Sequence, residues 1–140
     1  MSALSAFWSM AILPAACTAS TCIQPPAARL VREAGAVVIG EGAPRLSQTL
    51  CFAAPGFASD LQVMQMDLAG LMVSAGSACS SGKVRGSKAV EAMGRPDLAP
   101  YTLRVSGGWA STEADWQVFT DAWLSAHAHH RLRHAAQPAA

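Results

Sequence analysis

The sequence has 140 residues, 51% of them hydrophobic, which suits one domain with a modest core and excludes disorder throughout. Ten Lys and Arg against nine Asp and Glu leave a net charge of +1. This balance gives no electrostatic basis for binding nucleic acid or an anionic membrane, so we expect neither as a partner.

Residues 1–28 carry no charged side chain, and the first cation is Arg29. A secretory signal peptide begins with basic residues, and the apolar run at 6–16 is too short to span a bilayer. We therefore expect a weakly ordered leader over 1–28 and a cytoplasmic chain. Since cytoplasm is reducing, we expect no disulfide framework among the four cysteines, Cys17, Cys22, Cys51 and Cys79.

From Arg29 onward, helical and β-branched stretches alternate. Helical spacing ended by Gly predicts helices in "ARLVREAG", "DLQVMQMDLAG" and "SKAVEAMG". Strands are predicted in "AVVIG", "QTLCFAAP", "LMVSA" and "YTLRVSGG". The predicted class is α+β: a small, mostly antiparallel sheet of about four strands with helices on one side.

Several residues have predicted roles in this framework. Ser59 can cap the helix that follows it, in which Leu61, Met64 and Leu68 share one face. Cys51 lies in a strand pattern, and we interpret it as a buried packing residue.

The C-terminal helix has a predicted start and a predicted core face. Thr112 and Asp115 have the spacing of a capping box. Three aromatic residues after it fall on one stripe and are assigned to the core: Trp116, Phe119 and Trp123. Residues 132–140 are expected to fray. His130 and His134 have i,i+4 spacing, but no acidic or thiol ligand accompanies them, so a solvated helix end is favoured over a metal site.

The stretch at 73–87 reads "VSAGSACSSGKVRGS" and surrounds Cys79 with small residues. Glycines bracket it at three residues on either side, and Lys83 and Arg85 follow, which favours a thiolate. A phosphate loop is excluded, because five residues separate the glycines where that motif has four, and Val84 replaces its Ser or Thr. Two interpretations remain from these residues alone: a turn with an incidental thiol, or a nucleophilic cysteine on a mobile loop.

Several motifs resemble those of a known family. "SAGSACSSG", a short helix ending in "AMG", "LRVSGGW" and "STEADW" follow the order of the C-terminal part of the cysteine desulfurases. Over about 29–131 the chain resembles these NifS/IscS-like enzymes, which depend on pyridoxal phosphate (PLP) and belong to the class V aminotransferase group. The resemblance implies the C-terminal domain of fold-type I PLP enzymes. It divides the chain into a leader at 1–28, a desulfurase-like domain at 29–131 and a tail at 132–140.

The resemblance implies roles for two residues and no metal. Cys79 matches the loop cysteine that takes sulfur from L-cysteine as a persulfide, leaving alanine, and passes it to a sulfur-acceptor protein, as in iron–sulfur cluster assembly. Arg104, in "LRVS", matches the arginine that holds the substrate carboxylate. From the residues alone, Arg104 could also form an ordinary strand-end ion pair.

The resemblance does not extend to cofactor attachment. The family binds PLP through a lysine in a preceding large domain, in a His-Lys motif that this sequence lacks; its lysines are Lys83 and Lys88. We therefore expect PLP not to bind stably to this chain alone, and the chain alone to be inactive, as a truncated form. A large-domain chain or a second copy is an expected partner. The alternatives are a noncatalytic sulfur-relay or interaction domain and a nonfunctional fragment.

Overall fold

The computed structural model describes residues 26–76 and 86–136. A 3-10 turn at Ala99–Tyr101 leads into the last strand. The helices and strands of the described part are, in chain order, α1 (Pro26–Glu33), β1 (Val37–Val38), β2 (Thr49–Ala53), α2 (Ser59–Leu68), α3 (Lys88–Ala92), β3 (Thr102–Ser106) and α4 (Glu113–Ala135).

The strands form one antiparallel sheet in the order β1-β2-β3. The predicted α+β class is confirmed, but the described residues contain three strands rather than about four. The expected strand at 71–75 is reduced to a bridge at Ser74, whose N–H donates to the carbonyl of Arg104 (3.0 Å) and whose carbonyl accepts from the Arg104 N–H (2.8 Å). One paired residue makes a bridge, whereas a strand needs a ladder.

The two faces of the sheet meet different elements, because side chains alternate along a strand. One face packs on α1, α2 and α4 through a buried set comprising Val38, Leu50, Phe52, Leu103 and Val105. Phe52 stands edge-on to Trp123 of α4, with ring centroids 4.9 Å apart. The opposite face packs at Ala53 against Val90 of α3 and the residues around the 3-10 turn. Three helices thus share one side, and α3 lies on the other.

The predicted start of α4 is confirmed. The Asp115 N–H donates to Thr112 Oγ1 (3.4 Å), and the Thr112 N–H donates to Asp115 Oδ2 (2.7 Å). Phe119 and Trp123 are buried and Trp116 packs partly buried against them, as their stripe predicted.

The apolar stripe of α2 does share one face, but that face is exposed. Leu61, Met64 and Leu68 are 41%, 56% and 77% exposed. The buried positions of the helix are Ser59, Gln62 and Met66.

The predicted cap at Ser59 is wrong. The N-cap position is Ala58, without a side-chain hydrogen bond, and Ser59 is the first helical residue. Its Oγ instead reaches the carbonyls of Pro100 (2.8 Å) and Thr102 (2.9 Å). The hydroxyl therefore joins α2 to β3, because two acceptors from the end of the 3-10 turn lie beside it.

The first and last helices run past the predicted domain limits. The boundaries at residues 29 and 131 fall inside α1 and α4, and Ala27 and Ala28 are fully buried. The prediction of a solvated helix end fits His134, which is exposed, but it is wrong for His130, which is buried. His130 is buried because its ring stacks on Phe57 at 4.4 Å, and its Nε2 donates to the carbonyl of Gly56 (2.9 Å). Over residues 26–76 and 86–136, no helix has the length and hydrophobicity that a membrane span requires.

Candidate functional site

A cavity of about 410 Å³ opens on the sheet face that α3 meets. Its floor is made by strand residues whose side chains point to that face: Thr49, Cys51, Thr102 and Arg104. Its walls come from the β1–β2 connection, from α3 and from the chain at Ser74, Gly76 and Ser87. The alternation of side chains along β2 and β3 therefore determines which residues form the floor, because the intervening residues are buried on the other face.

Arg104, predicted from the sequence as a site residue, lies at the centre of β3. It pairs with Cys51 of β2 on one side and with Ser74 on the other, which fixes the backbone from which the guanidinium extends. The side chain is exposed and lines the cavity. The described ion pairs are Arg29–Glu33, Arg32–Glu41 and Arg95–Asp97, so no described carboxylate pairs with Arg104. The alternative interpretation of Arg104 as a member of a strand-end ion pair therefore does not fit the described residues.

Cys51 and Arg45 are site residues that the sequence reasoning missed. Cys51 is half-buried and lines the cavity, so its assignment as a buried packing residue was wrong. The available signal was alternation: Leu50 and Phe52 face the core, so the residue between them faces away. Arg45 lies in an irregular connection, where no periodic signal indicates where a side chain points.

Burial raises the pKa of the Cys51 thiol above its ordinary value, and the positive charges of Arg104 and Arg45 oppose that rise. Desolvation disfavours the thiolate, whereas a nearby cation favours it. Because burial is the larger effect, the thiol is protonated at neutral pH. Cys51 and the two arginines that oppose the rise in its pKa line the same cavity.

Cys79 lies outside the described residues, but both flanks of its segment are described. Gly76 and Ser87 line the cavity. The Ser87 N–H donates to the carbonyl of Ala99 (3.0 Å), and its Oγ caps α3 by accepting from the Val90 N–H (3.4 Å). A Cβ at Gly86 would lie 3.0 Å from the carbonyl carbon of Ala99, so a side chain there would require the backbone at the 3-10 turn to shift by a few tenths of an ångström. Both flanks of the segment that contains Cys79 therefore lie at the wall of the same cavity.

The described lining fits a carboxylate and does not fit PLP. Its charged members, within the described ranges, are the guanidiniums of Arg45 and Arg104, which suit carboxylate oxygens. PLP enzymes need a lysine for the internal Schiff base. Lys88 is exposed on α3 and is not part of the lining, and Lys83 lies outside the described residues.

Three histidines line a second cavity, between α4 and the chain around Gly35 and Gly56. The ring of His127 is buried and stacks on Trp123 at 4.8 Å. Burial lowers the pKa of His127, and the charges of Arg131 and His130 add to that effect. Over the described ranges, no three His, Cys, Asp or Glu side chains come together as a metal site would require.

No protein-family model and no curated protein matches the chain. Solved structures do match it. The chain is similar to a NifS-like protein from Rickettsia africae ESF-5, known from its X-ray structure, with a TM-score of 0.58 and 19% identity over 72% of this chain and 27% of that one. Another NifS-like protein matches with a TM-score of 0.61 and 18% identity, over 74% of this chain and 25% of that one. The chain thus spans about a quarter of the length of these proteins, and it has the fold of the part that it matches.

Proposed function

We propose that this chain is the sulfur-accepting part of a cysteine desulfurase, in which Arg104 holds the carboxylate of L-cysteine and Cys79 takes its sulfur. The observation that carries the proposal is that Arg104 lines the same cavity as Gly76 and Ser87, which flank the segment with Cys79. Cys79 follows Gly76 by three residues, and three residues of extended chain span at most about 11 Å. The fold shared with NifS-like proteins supports the same function.

In the overall reaction, one sulfur atom moves from L-cysteine to the thiol of Cys79. A sulfur–sulfur bond forms, the carbon–sulfur bond of the substrate breaks, and the carbon takes a proton to give alanine. Cys79 is left as a persulfide, whose terminal sulfur then passes to the thiol of an acceptor protein. The nucleophile is the thiolate, which nearby cations favour, and Lys83 and Arg85 follow Cys79 by four and six residues.

Within this function the described residues bind and orient the substrate carboxylate. PLP is the cofactor that the family resemblance implies, and when bound it acts as the electron sink for carbon–sulfur chemistry. The described lining of the cavity contains no lysine to which PLP could attach. We therefore expect these 140 residues, supplied with PLP and L-cysteine, to show no protein-bound PLP absorbance and to release no alanine.

The test is sulfur transfer to Cys79 in the presence of a PLP-loaded large domain made from a NifS-like protein. The domain and this chain are mixed with L-cysteine, alanine is quantified, and persulfides are trapped and assigned to individual cysteines by peptide mass spectrometry. We expect alanine together with a persulfide at Cys79. Both should be lost in Cys79→Ser and Arg104→Gln.

The matched thiol control is Cys51→Ser, which should still form the persulfide at Cys79. A mixture that forms no persulfide at Cys79 contradicts the proposal. So does alanine release by the Cys79→Ser variant at the unchanged rate.

A further inference from the structure

A second guanidinium faces the cavity in which Arg104 lies. We propose that the cavity binds small carboxylate-bearing molecules between Arg104 and Arg45 and holds them against the thiol of Cys51. The inference rests on the proposed function for the carboxylate at Arg104. It adds Arg45 as a second carboxylate-binding residue and Cys51 as the side chain that the bound molecule contacts.

The first step is the placement of Cys51 beside Arg104. The two residues are directly opposite partners in the β2–β3 ladder, so their side chains project from the same face. Opposite Cβ atoms in an antiparallel pair lie about 4.5–5.5 Å apart. The Cys51 thiol and the Arg104 side chain therefore rise side by side from the cavity floor, which places the thiol within reach of a small molecule bound there.

The second step is the placement of Arg45. It lies in the connection that enters β2, where the Thr49 N–H donates to the carbonyl of Leu46 (3.3 Å) in a turn. The side chain is half-buried and lines the cavity with Cys51 and Arg104. The positive charge of Arg45, like that of Arg104, opposes the rise in the pKa of the Cys51 thiol, which agrees with the placement of all three side chains at one cavity.

The third step is the character of the lining. Within the described ranges, its charged side chains are both cationic, and apolar side chains such as Ile39, Val90 and Met93 make up much of the wall. Apolar walls around charges of one sign strengthen the local field and raise the local concentration of a counter-ion. The volume of about 410 Å³ falls among the roughly 300–1,000 Å³ pockets that hold small molecules. A small organic acid is the ligand class that matches both properties.

The test compares two alkylating reagents of similar size, iodoacetate and iodoacetamide, at Cys51. With each reagent the sulfur–carbon bond forms as the carbon–iodine bond breaks and iodide leaves, but iodoacetate also carries a carboxylate. The rate at Cys51 is followed by peptide mass spectrometry for each reagent, and N-acetylcysteine is measured in the same buffer. We expect the iodoacetate-to-iodoacetamide rate ratio at Cys51 to exceed that of N-acetylcysteine by roughly tenfold, as for electrostatically assisted association.

Single substitutions test the contribution of each arginine to the rate ratio. Arg45→Gln and Arg104→Gln should each lower the rate ratio toward that of N-acetylcysteine. Arg29→Gln is the matched control, because Arg29 is an exposed arginine paired with Glu33 on α1, away from the cavity, and should leave the ratio unchanged.

Folding of each variant is checked by thermal melting. An unfolded Arg45→Gln would raise both rates together. In that case the test uses Arg45→Lys, which keeps the positive charge. A folded Arg45→Lys variant should still show a raised iodoacetate-to-iodoacetamide rate ratio. A folded variant whose ratio equals that of N-acetylcysteine overturns the proposal.

The outcomes distinguish this inference from the proposed function. A ratio that Arg45→Gln leaves unchanged, while Arg104→Gln abolishes it, overturns the role of Arg45 and leaves the carboxylate role of Arg104 standing. A wild-type ratio equal to that of N-acetylcysteine overturns the inference and also counts against carboxylate binding at Arg104.

Discussion

The side-chain amide of Gln62 joins three parts of the fold at one buried point. Its Nε2 donates to the carbonyls of Phe57 (2.8 Å) and Tyr101 (2.9 Å), and its Oε1 accepts from Nε1 of Trp123 (3.0 Å). Gln62 and Trp123 are fully buried, so water cannot replace these bonds. A glutamine on the core side of a helix is stable here because each of its polar groups has a partner.

Replacing Gln62 by Leu should destabilise the chain by about 3 kcal/mol, because a buried indole N–H and two carbonyls each lose a partner. The measurement is the free energy of unfolding in urea. Gln117→Leu is the control, since Gln117 is exposed on α4 and bonds only to Asp121 among the described contacts. An equal, small effect of the two substitutions would show that the buried amide adds nothing to stability.

His127 gives the folded chain a pH dependence of known sign. Burial lowers its pKa in the folded state, with Arg131 and His130 adding to the effect, so the unfolded chain binds the proton more readily. The stability contribution is full above the unfolded pKa of about 6.5 and declines as the pH falls below it.

We therefore expect the melting temperature to fall between about pH 7.5 and about pH 5.5, and to fall less in His127→Gln than in the wild type. His129→Gln, which changes an exposed histidine on the same helix, should keep the wild-type slope. A slope that is identical in all three proteins would exclude His127 as its source.

At the scale of single elements, α4 shows what local sequence can determine. Its capping box joins residues three apart, and its bonds need only the backbone and side chains of Thr112 and Asp115. Thr112→Ala should cost about 1 kcal/mol, whereas Thr112→Ser, which keeps the hydroxyl, should cost little. Thermal unfolding followed by circular dichroism checks the difference. If the Ala and Ser variants melt together, the hydroxyl does not stabilise the helix.

The helix α2 shows the opposite case. Three of its apolar residues, Leu61, Met64 and Leu68, share a face, and that pattern alone would place the face against the core. The structure buries Gln62 and Met66 instead, because the carbonyls of Phe57 and Tyr101 and the Trp123 indole supply polar partners there. These partners come from distant parts of the sequence, so no local periodicity could indicate them.

At the scale of the whole molecule, the α2 stripe of Leu61, Met64 and Leu68 leaves an apolar surface uncovered, and Met72 just beyond it is 96% exposed. Contiguous apolar surface favours association, at about 25 cal/mol per Å² buried. We expect the isolated chain to self-associate at high concentration, as measured by sedimentation equilibrium.

The double variant Met64→Gln and Leu68→Gln should weaken that association. Val118→Gln, a substitution of an exposed apolar residue on α4, is the control and should not. A wild-type chain that stays a monodisperse monomer at high concentration would show that the stripe needs no partner.

The sequence by itself determined the α+β class, the start of α4, its aromatic core stripe and Arg104 as a candidate site residue. Each of these depends on neighbours within a few positions, on periodicity or on a motif. Only the tertiary structure decided which face of α2 is buried and that Cys51 and Arg45 meet Arg104 at one cavity. The physical reason is that strand pairing brings Cys51 opposite Arg104, 53 positions away, and fixes a shared side of the sheet, whereas sequence separation specifies neither.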